Sequence, residues 1–212
     1  MPVRKIPISH NSVTGRHAMG PGKRSIGYES TLERDFVSLM AFDPDVTDIE
    51  EQPVRIDYQD SEGRMRHYTP DYLVHRLGAQ TLLIEVKPRR FLKPDLDAKF
   101  SAARHYAEAR GWVFEVWTER EIRTPRLDNI RFLLPFRHRP ADPGRAARIL
   151  RHFEECGPMS GGSVLDACWS DETERNIGLG VLWHLIATGE VHTDLDKELT
   201  MDSVLNWAGR IS

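Results

Sequence analysis

The fold is decided by two apolar stretches that follow each other closely, Thr69-Pro70-Asp71-Tyr72-Leu73-Val74 and Leu82-Leu83-Ile84-Glu85-Val86-Lys87-Pro88. Both are rich in residues that favour buried strands, and Gly78 lies in the turn between them. The pattern predicts a β-hairpin, and strands this apolar belong in the middle of a sheet.

Charged side chains interrupt the hairpin where an ordinary core strand has none. Asp71 opens the first strand, and Glu85 and Lys87 end the second. Because successive side chains of a strand point to opposite faces, Glu85 and Lys87 share one face and Val86 takes the other. Charge beside a sheet core is costly unless it is paired or binds a metal. Two carboxylates and an ammonium are the groups that metal-assisted hydrolysis of a phosphodiester needs.

The composition is that of a soluble globular protein. The 212 residues are 40% hydrophobic and 29% charged, which allows one large domain or two small ones. No apolar run reaches the length of a membrane span, and the N-terminus lacks the apolar core of a signal peptide. Cys156 and Cys168 form no CxxC pair. We therefore predict no disulfide framework and no zinc cluster, and a reducing, cytoplasmic compartment.

Charge is distributed unevenly along the chain. Residues 1–28 contain five Lys and Arg and no acid, whereas residues 153–212 contain eleven acids against three basic residues. Phosphate backbone is therefore expected near the first segment and not near the second.

Periodicity predicts an α/β protein followed by a helical tail. Before the Pro-rich stretch Pro135–Pro143 it predicts, besides the hairpin, a helix at 29–40, strands at about 46–51 and 53–59, a helix at 95–110 and a strand at 112–117. Beyond that stretch it predicts helices at 144–156, 160–169 and 173–188 and a short strand pair near 190–200, a winged-helix pattern. The expected organisation is a basic flexible arm at 1–27, a mixed-sheet α/β domain at 28–136, a linker at 137–143 and a small winged-helix-like α domain at 144–212.

A further carboxylate precedes the hairpin on the first predicted helix. Glu29 and Glu33 are one turn apart, and Glu33 borders the apolar stripe. The separation of fourteen residues between Asp71 and Glu85 is a loose pattern, and taken alone it favours a turn aspartate and a solvated strand end. The apolar strands, the helix carboxylate and the basic loop after Lys87 together favour a nuclease site.

These features resemble the restriction-endonuclease-like nuclease superfamily, with its E…D…(E/Q)xK site. In order and spacing the chain is similar to the TnsA family, the endonuclease subunits of heteromeric cut-and-paste transposases. The similarity covers about residues 28–136 and, less specifically, the tail. It rests mainly on Glu29-Ser30-Thr31-Leu32-Glu33-Arg34-Asp35-Phe36, Phe42-Asp43-Pro44-Asp45-Val46, Glu51-Gln52-Pro53, Tyr68-Thr69-Pro70-Asp71 and Glu85-Val86-Lys87-Pro88.

The resemblance implies a restriction-endonuclease-like core and a defined site. The family's register prefers Glu33 over Glu29, and the catalytic set is then Glu33, Asp71, Glu85 and Lys87. The implied metal ligands, for one or two Mg ions with Mn as a substitute, are Glu33, Asp71, Glu85 and the Val86 carbonyl. Lys87 would orient the attacking water or stabilise the pentacovalent charge.

The resemblance also implies partners in the bacterial cytosol. These are double-stranded DNA at the transposon ends, cut at the 5′ ends, a TnsB-like transposase subunit and a TnsC-like AAA+ regulator. The candidate DNA contacts are the basic residues that follow the site, Arg89, Arg90, Lys93, Lys99 and Arg104. The acidic tail is expected to bind protein rather than DNA, because its candidate recognition helix carries little basic charge.

Two other functions stay open at this stage. The first is a stand-alone DNA nuclease of the same superfamily, such as a phage or defence enzyme, which would cut DNA without a partner. The second is a catalytically silent assembly protein that uses the fold for binding.

Overall fold

The computed structural model describes residues 13–18, 24–207 and 209. It divides into two compact units, residues 1–123 and 124–212. Arg4, Lys5 and Lys23 of the predicted basic arm lie outside the described residues.

The first unit is built on a four-stranded mixed sheet. Its elements in chain order are β1 (Gly15–His17), β2 (Ile26–Tyr28), α1 (Thr31–Phe42), β3 (Val46–Glu51), β4 (Ile56–Gln59), β5 (Met65–Tyr68), β6 (Tyr72–Arg76), β7 (Leu82–Val86), α2 (Asp97–Glu108), β8 (Val113–Trp117) and α3 (Glu119–Ile122). The sheet has the spatial order β3-β6-β7-β8, in which β8 runs parallel to β7 and the other pairs are antiparallel. The predicted α/β class with a mixed sheet is confirmed.

Helices cover both faces of this sheet. On one face, Phe36 of α1 stacks on Tyr72 at 5.3 Å between ring centroids and meets the edge of Trp117 at the same distance. On the other face, Leu73 and Leu83 pack in one core with Ala103 of α2. Tyr72 and Leu73 are successive residues of β6, so they point to opposite faces. The result is a sandwich in which the central strand β7 is buried along its whole length.

Short 3₁₀ turns occupy the basic loop after β7, at Arg89–Phe91 and Pro94–Leu96. The hairpin of β4 and β5 turns at Gly63, which has the positive φ of 77° that favours glycine. This hairpin brings Tyr68, at the end of β5, into the core that α2 covers.

Part of the predicted flexible arm forms strands. β1 pairs antiparallel with β2, and Ile26 is buried. The amide of Gly27 donates a hydrogen bond to the Glu51 carboxylate of β3, and Arg16 pairs with the same carboxylate at 3.5 Å. These contacts are far apart in the sequence, so the lack of local periodicity in the arm did not reveal them.

The second unit is helical. Its elements are α4 (Pro125–Arg137), α5 (Pro143–Cys156), β9 (Met159–Ser160), α6 (Gly161–Cys168), α7 (Glu172–Thr188) and β10 (Val204–Leu205). The central helix is α7, which packs against α4, α5 and α6 and buries residues such as Val181, Leu182 and Ile186. No helix in the described part of the chain has the length and apolar character needed to cross a membrane.

The predicted strand pair near 190–200 is wrong. β10 pairs instead with β9, and His192 makes a single bridge to Asn206. Short strands carry little periodicity of their own, and a partner about 45 residues away cannot be read from the local pattern. The winged-helix assignment of this unit stays a prediction.

The division between the units falls before the linker that the proline pattern predicts. Pro135 lies inside α4, and the loop between α4 and α5 is internal to the second unit. Leu127, Ile130 and Leu133 are buried, and α4 packs against α7. The packing of the apolar face of α4 therefore outweighs the cost of this proline, which removes one backbone donor in the last turn of the helix.

Candidate active site

Asp71 and Glu85 come together through the pairing of β6 with β7. Asp71 immediately precedes β6, and its amide donates to the Ile84 carbonyl at 3.0 Å. Its Oδ2 accepts a hydrogen bond from the Val86 amide at 2.7 Å. The antiparallel pairing therefore begins one residue before β6, and it holds the Asp71 carboxylate next to the end of β7.

Glu85 is buried and both of its carboxylate oxygens are engaged. The Tyr68 hydroxyl donates to Oε2 at 2.6 Å, and Lys99 Nζ donates to Oε1 at 2.9 Å. Lys87 Nζ lies 3.8 Å from Oε1, on the face of β7 that the alternation predicts. Three elements, β5, β7 and α2, thus contribute to the surroundings of this single carboxylate.

Glu33 lies in the first turn of α1, where it has a helix-capping role. Ser30 is the N-cap, and its hydroxyl donates to Glu33 Oε1 at 2.9 Å. Glu33 Oε2 accepts from the Glu29 amide at 2.8 Å and from the Tyr72 hydroxyl at 3.3 Å. A carboxylate at this position satisfies free amides at the helix start. The Tyr72 contact also links Glu33 to the strand that follows Asp71.

Glu29 is connected to the same strand by Gln52. Gln52 Nε2 donates to Glu29 Oε1 at 3.1 Å, and the Gln52 amide donates to the Asp71 carbonyl at 2.8 Å. Gln52 has a φ of 47°, in the left-handed region, and among the described residues its buried Oε1 has no hydrogen-bond partner. Strained backbone and unsatisfied buried polar groups concentrate at functional sites. Glu29, which precedes the N-cap of α1 and so lies outside the helix predicted to hold it, is therefore linked to Asp71 through Gln52, and Glu33 contacts Tyr72, the residue after Asp71. These contacts alone do not select one of the two glutamates.

Burial is the main electrostatic influence on the acids of the site, and repulsion between carboxylates adds to it. Burial, followed by the negative charges of Glu85 and Glu33, raises the pKa of Asp71 well above its usual range. Burial also raises the pKa of Glu33, and the charge of Glu29 adds to this effect. The pKa values of the Tyr68 and Tyr72 hydroxyls are raised, first by burial and then by Glu85 and Glu33 respectively, so both hydroxyls remain protonated donors. Mutual repulsion of this kind is relieved by a bound cation.

The donor atoms are those that a hard divalent cation prefers. Glu33, Asp71 and Glu85 offer carboxylate oxygens, which suit Mg²⁺. Within the described part of the chain, no three His, Cys, Asp or Glu side chains form a ready-made metal-binding group. The Glu85 oxygens are taken by Tyr68 and Lys99, and the Glu33 oxygens by the start of α1. The residue types therefore fit the ion, and the glutamates would exchange hydrogen bonds to bind it.

Two family models match the chain in succession. The model described as TnsA-like endonuclease N terminal matches residues 43–119, and the model described as TnsA endonuclease C terminal matches residues 121–195. The chain belongs to the TnsA endonuclease family. The predicted resemblance is thus confirmed, and the family is one of nucleases. No curated protein matches the chain.

The TnsA match covers only part of the predicted site. The matched range, residues 43–119, contains Asp71, Glu85 and Lys87. Glu29 and Glu33 lie before the start of that range. The choice of Glu33 as the helix carboxylate therefore rests on the motif and on its contact with Tyr72. Val86, the last residue of β7, takes part through its amide, which donates to Asp71.

The candidate DNA contacts of this TnsA-family chain fall into two groups. The exposed ones are Arg89, Arg90, Lys93 and Arg104. The backbone of Arg89 is fixed by its amide, which donates to Glu119 at 2.9 Å. Arg104 borders a cavity of about 440 Å³ that Trp112 also lines. Lys99 differs from them because its side chain is only 15% exposed and pairs with Glu85.

Sequence reasoning missed the residues that surround the acids. Tyr68, Tyr72 and Ser30 each form a hydrogen bond with Glu85 or Glu33. Tyr68 and Tyr72 flank Thr69-Pro70-Asp71, and the clustering of two tyrosines around that aspartate was an available signal. The pairing of Lys99 with Glu85 left no local signal in the sequence, because Lys99 lies on α2 and Glu85 lies on a strand of the hairpin.

Proposed function

We propose that this chain is the metal-dependent DNA endonuclease subunit of a heteromeric cut-and-paste transposase, which cuts at the 5′ ends of the transposon. The observation that carries the proposal is the convergence of Asp71, Glu85 and Lys87 at the ends of β6 and β7 in a chain of the TnsA family. A purely structural sheet end would not need two acids beside each other.

Glu33, Asp71, Glu85 and the Val86 carbonyl are the groups that would hold one or two Mg²⁺ ions, with Mn²⁺ as a substitute. When bound, the ion supplies a more acidic water and neutralises charge on the scissile phosphate. The geometry of β7 gives Lys87 a separate part in the reaction. Its side chain is 26% exposed and shares a face with Glu85, so its ammonium can donate to the attacking water or to a phosphate oxygen as charge develops there.

Hydrolysis in this scheme follows a single displacement at phosphorus. Water attacks in line, the bond from phosphorus to the 3′ oxygen breaks, and the products are a 5′-phosphate and a 3′-hydroxyl. The proton of the water passes to solvent and the leaving oxygen gains one. The exposed Arg89, Arg90 and Lys93 follow Lys87 directly, and they are the proposed contacts to the backbone of double-stranded DNA.

The second unit is the proposed docking module for protein partners, a TnsB-like transposase subunit or a TnsC-like AAA+ regulator. Two observations support this role. Residues 153–212 of this unit carry eleven acids against three basic residues, which opposes contact of that part of the unit with a polyanion. In addition, the first turn of α7 carries Glu172 and Glu174, and Arg175 beside them pairs with Asp166, so this helix lacks the basic face of a DNA-recognition helix.

The test is cleavage of a duplex carrying a transposon end by the full chain with its transposase partner in Mg²⁺. Asp71→Asn removes a proposed ligand, and Lys87→Ala removes the proposed donor. We expect each to slow cutting of the 5′ strand on the order of a thousandfold, because each supplies several kcal/mol to the transition state. Asp57→Asn changes an exposed acid of β4 that pairs with Arg55, and it should cut at the wild-type rate.

Retained cutting by Asp71→Asn would refute the proposed site. Cutting of plain DNA by the isolated chain would favour the stand-alone nuclease instead. The silent assembly protein is distinguished by calorimetry, since it would give no heat on titration with Mg²⁺ or Mn²⁺. Folding of each variant is checked by its urea unfolding curve.

A further inference from the structure

Lys99 is the basic residue most closely bound to the candidate site. It is the third residue of α2, and its Nζ donates to Glu85 Oε1 at 2.9 Å. The same nitrogen lies 4.2 Å from the centre of the Tyr68 ring and 5.0 Å from that of Phe100. A side chain that is 15% exposed and held by one carboxylate and two aromatic faces has little freedom to reach a DNA phosphate.

Lys99 and Tyr68 hold the Glu85 carboxylate from two sides. Tyr68 donates to Oε2 at 2.6 Å while Lys99 donates to Oε1. These groups come from β5 and α2, elements that belong to one buried core. The plane of the Glu85 carboxylate is therefore set by partners outside its own strand, as it is for metal-binding carboxylates whose orientation depends on surrounding hydrogen bonds.

The two lysines near Glu85 have different surroundings. Lys87 Nζ is 3.8 Å from Glu85 Oε1, beyond hydrogen-bond distance, and its side chain is 26% exposed. Lys99 makes the hydrogen bond to that oxygen and is less exposed. The positive charge of Lys99 also acts on Asp71. Since Lys99 compensates the buried acids from within the fold, Lys87 remains available to the substrate.

We infer that Lys99, together with Tyr68, is a positioning residue that fixes Glu85 in the nuclease site, and that Lys99 does not contact DNA. This inference rests on the proposed nuclease function. It also separates Lys99 from Arg89, Arg90 and Lys93, which are exposed and free of this carboxylate contact.

The test compares Lys99→Met with Lys99→Arg in the complex of the full chain with its transposase partner. One readout is the single-turnover rate of cutting in Mg²⁺ at saturating DNA. The other is the affinity for a short fluorescent DNA duplex, measured without added metal over a range of salt concentrations. Arg110→Met is the matched control, because Arg110 follows the same helix and stacks on Tyr106 away from the acids.

A positioning role predicts a tenfold to hundredfold slower rate for Lys99→Met, with partial rescue in Lys99→Arg. The DNA affinity and its salt dependence should match those of the wild type. Tyr68→Phe, which keeps the ring and removes only the hydroxyl, should slow cutting less and still fold. Arg110→Met should leave both readouts unchanged.

The inference is overturned by any of three results. Weaker DNA binding of Lys99→Met, with a salt slope lower by about one, would make Lys99 a phosphate contact. A wild-type rate in Lys99→Met would remove its role altogether. Equal loss in Lys99→Met and Lys99→Arg, with a wild-type rate in Tyr68→Phe, would leave only a structural ion pair. If Asp71→Asn cuts DNA at the wild-type rate, the nuclease proposal itself fails. If Asp71→Asn is inactive but Lys99→Met cuts at the wild-type rate, only the positioning role of Lys99 is contradicted.

Discussion

The two units of the molecule bury different kinds of side chains. Among the described residues, the buried polar or charged side chains of the first unit are Asp35, Ser38, Glu51, Gln52, Glu85 and Thr118, whereas the second unit buries Asn129 alone. The second unit has an apolar core and keeps its many acids at the surface. Buried charge costs free energy unless it is compensated. The difference supports the proposal that the chemistry lies in the first unit.

The largest effect on stability is expected in the apolar core of the second unit. Leu182 of α7 is fully buried, and Leu182→Ala should lower the free energy of unfolding by about 2–5 kcal/mol, because it leaves a cavity. Urea unfolding measures the loss, and hydrogen exchange shows where it falls. Amides of α7 should exchange faster while those of β7 keep their protection.

Val204→Ala is the control for this cavity, since Val204 is exposed and its truncation should change stability by less than about 0.5 kcal/mol. Equal loss of protection in α7 and β7 would contradict the comparison, because the two units would then unfold together.

The sequence predicted those elements whose signal is local. The hairpin of β6 and β7 follows from apolar runs between Pro70 and Pro88, and the strand alternation correctly places Lys87 beside Glu85. The helix predicted at 29–40 is observed at Thr31–Phe42, shifted because Ser30 is the N-cap. Period and capping chemistry are properties of neighbouring residues, so one sequence is enough to read them.

Contacts between distant elements could not be read in this way. The pairing of Lys99 with Glu85 joins a helix to a strand, and the pairing of β9 with β10 joins segments about 45 residues apart. The positive φ of Gln52 is a further example, since this residue holds that conformation while its amide donates to the Asp71 carbonyl, which is distant in the sequence. The closeness of the candidate acids Asp71 and Glu85 could therefore be predicted, and the groups that hydrogen-bond to them could not.

The stability of the first unit should depend on pH through the acid Asp71. Asp71 has a raised pKa in the folded protein, because of burial and of the charges on Glu85 and Glu33. The folded state therefore binds its proton more tightly than the unfolded chain does. The resulting stability is complete below the ordinary carboxyl pKa and is lost as pH rises towards the raised value.

Asp71→Asn removes this titration. In the absence of divalent ions, the wild type should lose stability relative to Asp71→Asn as pH rises from the ordinary carboxyl pKa to the raised one. The difference between their free energies of unfolding should change by up to about 1.4 kcal/mol per pH unit over this range. Urea unfolding at a series of pH values measures the difference. Mg²⁺ added at the alkaline end should stabilise the wild type and not the variant, which is the internal control. Parallel curves for the two proteins would show that Asp71 carries no excess repulsion.

The smallest effects come from one arginine–aspartate pair in each unit. Arg123 Nε lies 3.3 Å from Asp35 Oδ2, and Asp35 is 1% exposed. Arg175 Nε lies only 2.6 Å from Asp166 Oδ1, but Asp166 is 67% exposed. If distance decided the energy, the pair in the second unit would be the stronger one. Burial reverses that order, because water compensates an exposed acid whose partner is removed and cannot compensate a buried one.

Arg123→Met should therefore cost about 1–3 kcal/mol of unfolding free energy. Arg34, 3.2 Å from Asp35 Oδ1, limits the loss because it remains as a second partner. Arg175→Met should cost less than about 1 kcal/mol, and high salt should remove most of that difference. The two variants delete the same side chain and are compared by urea unfolding at low and high salt. Equal losses would mean that Asp35 is compensated after the loss of its partner as well as Asp166 is. The contrast between a first unit that buries charge and a second that exposes it would then have no energetic basis.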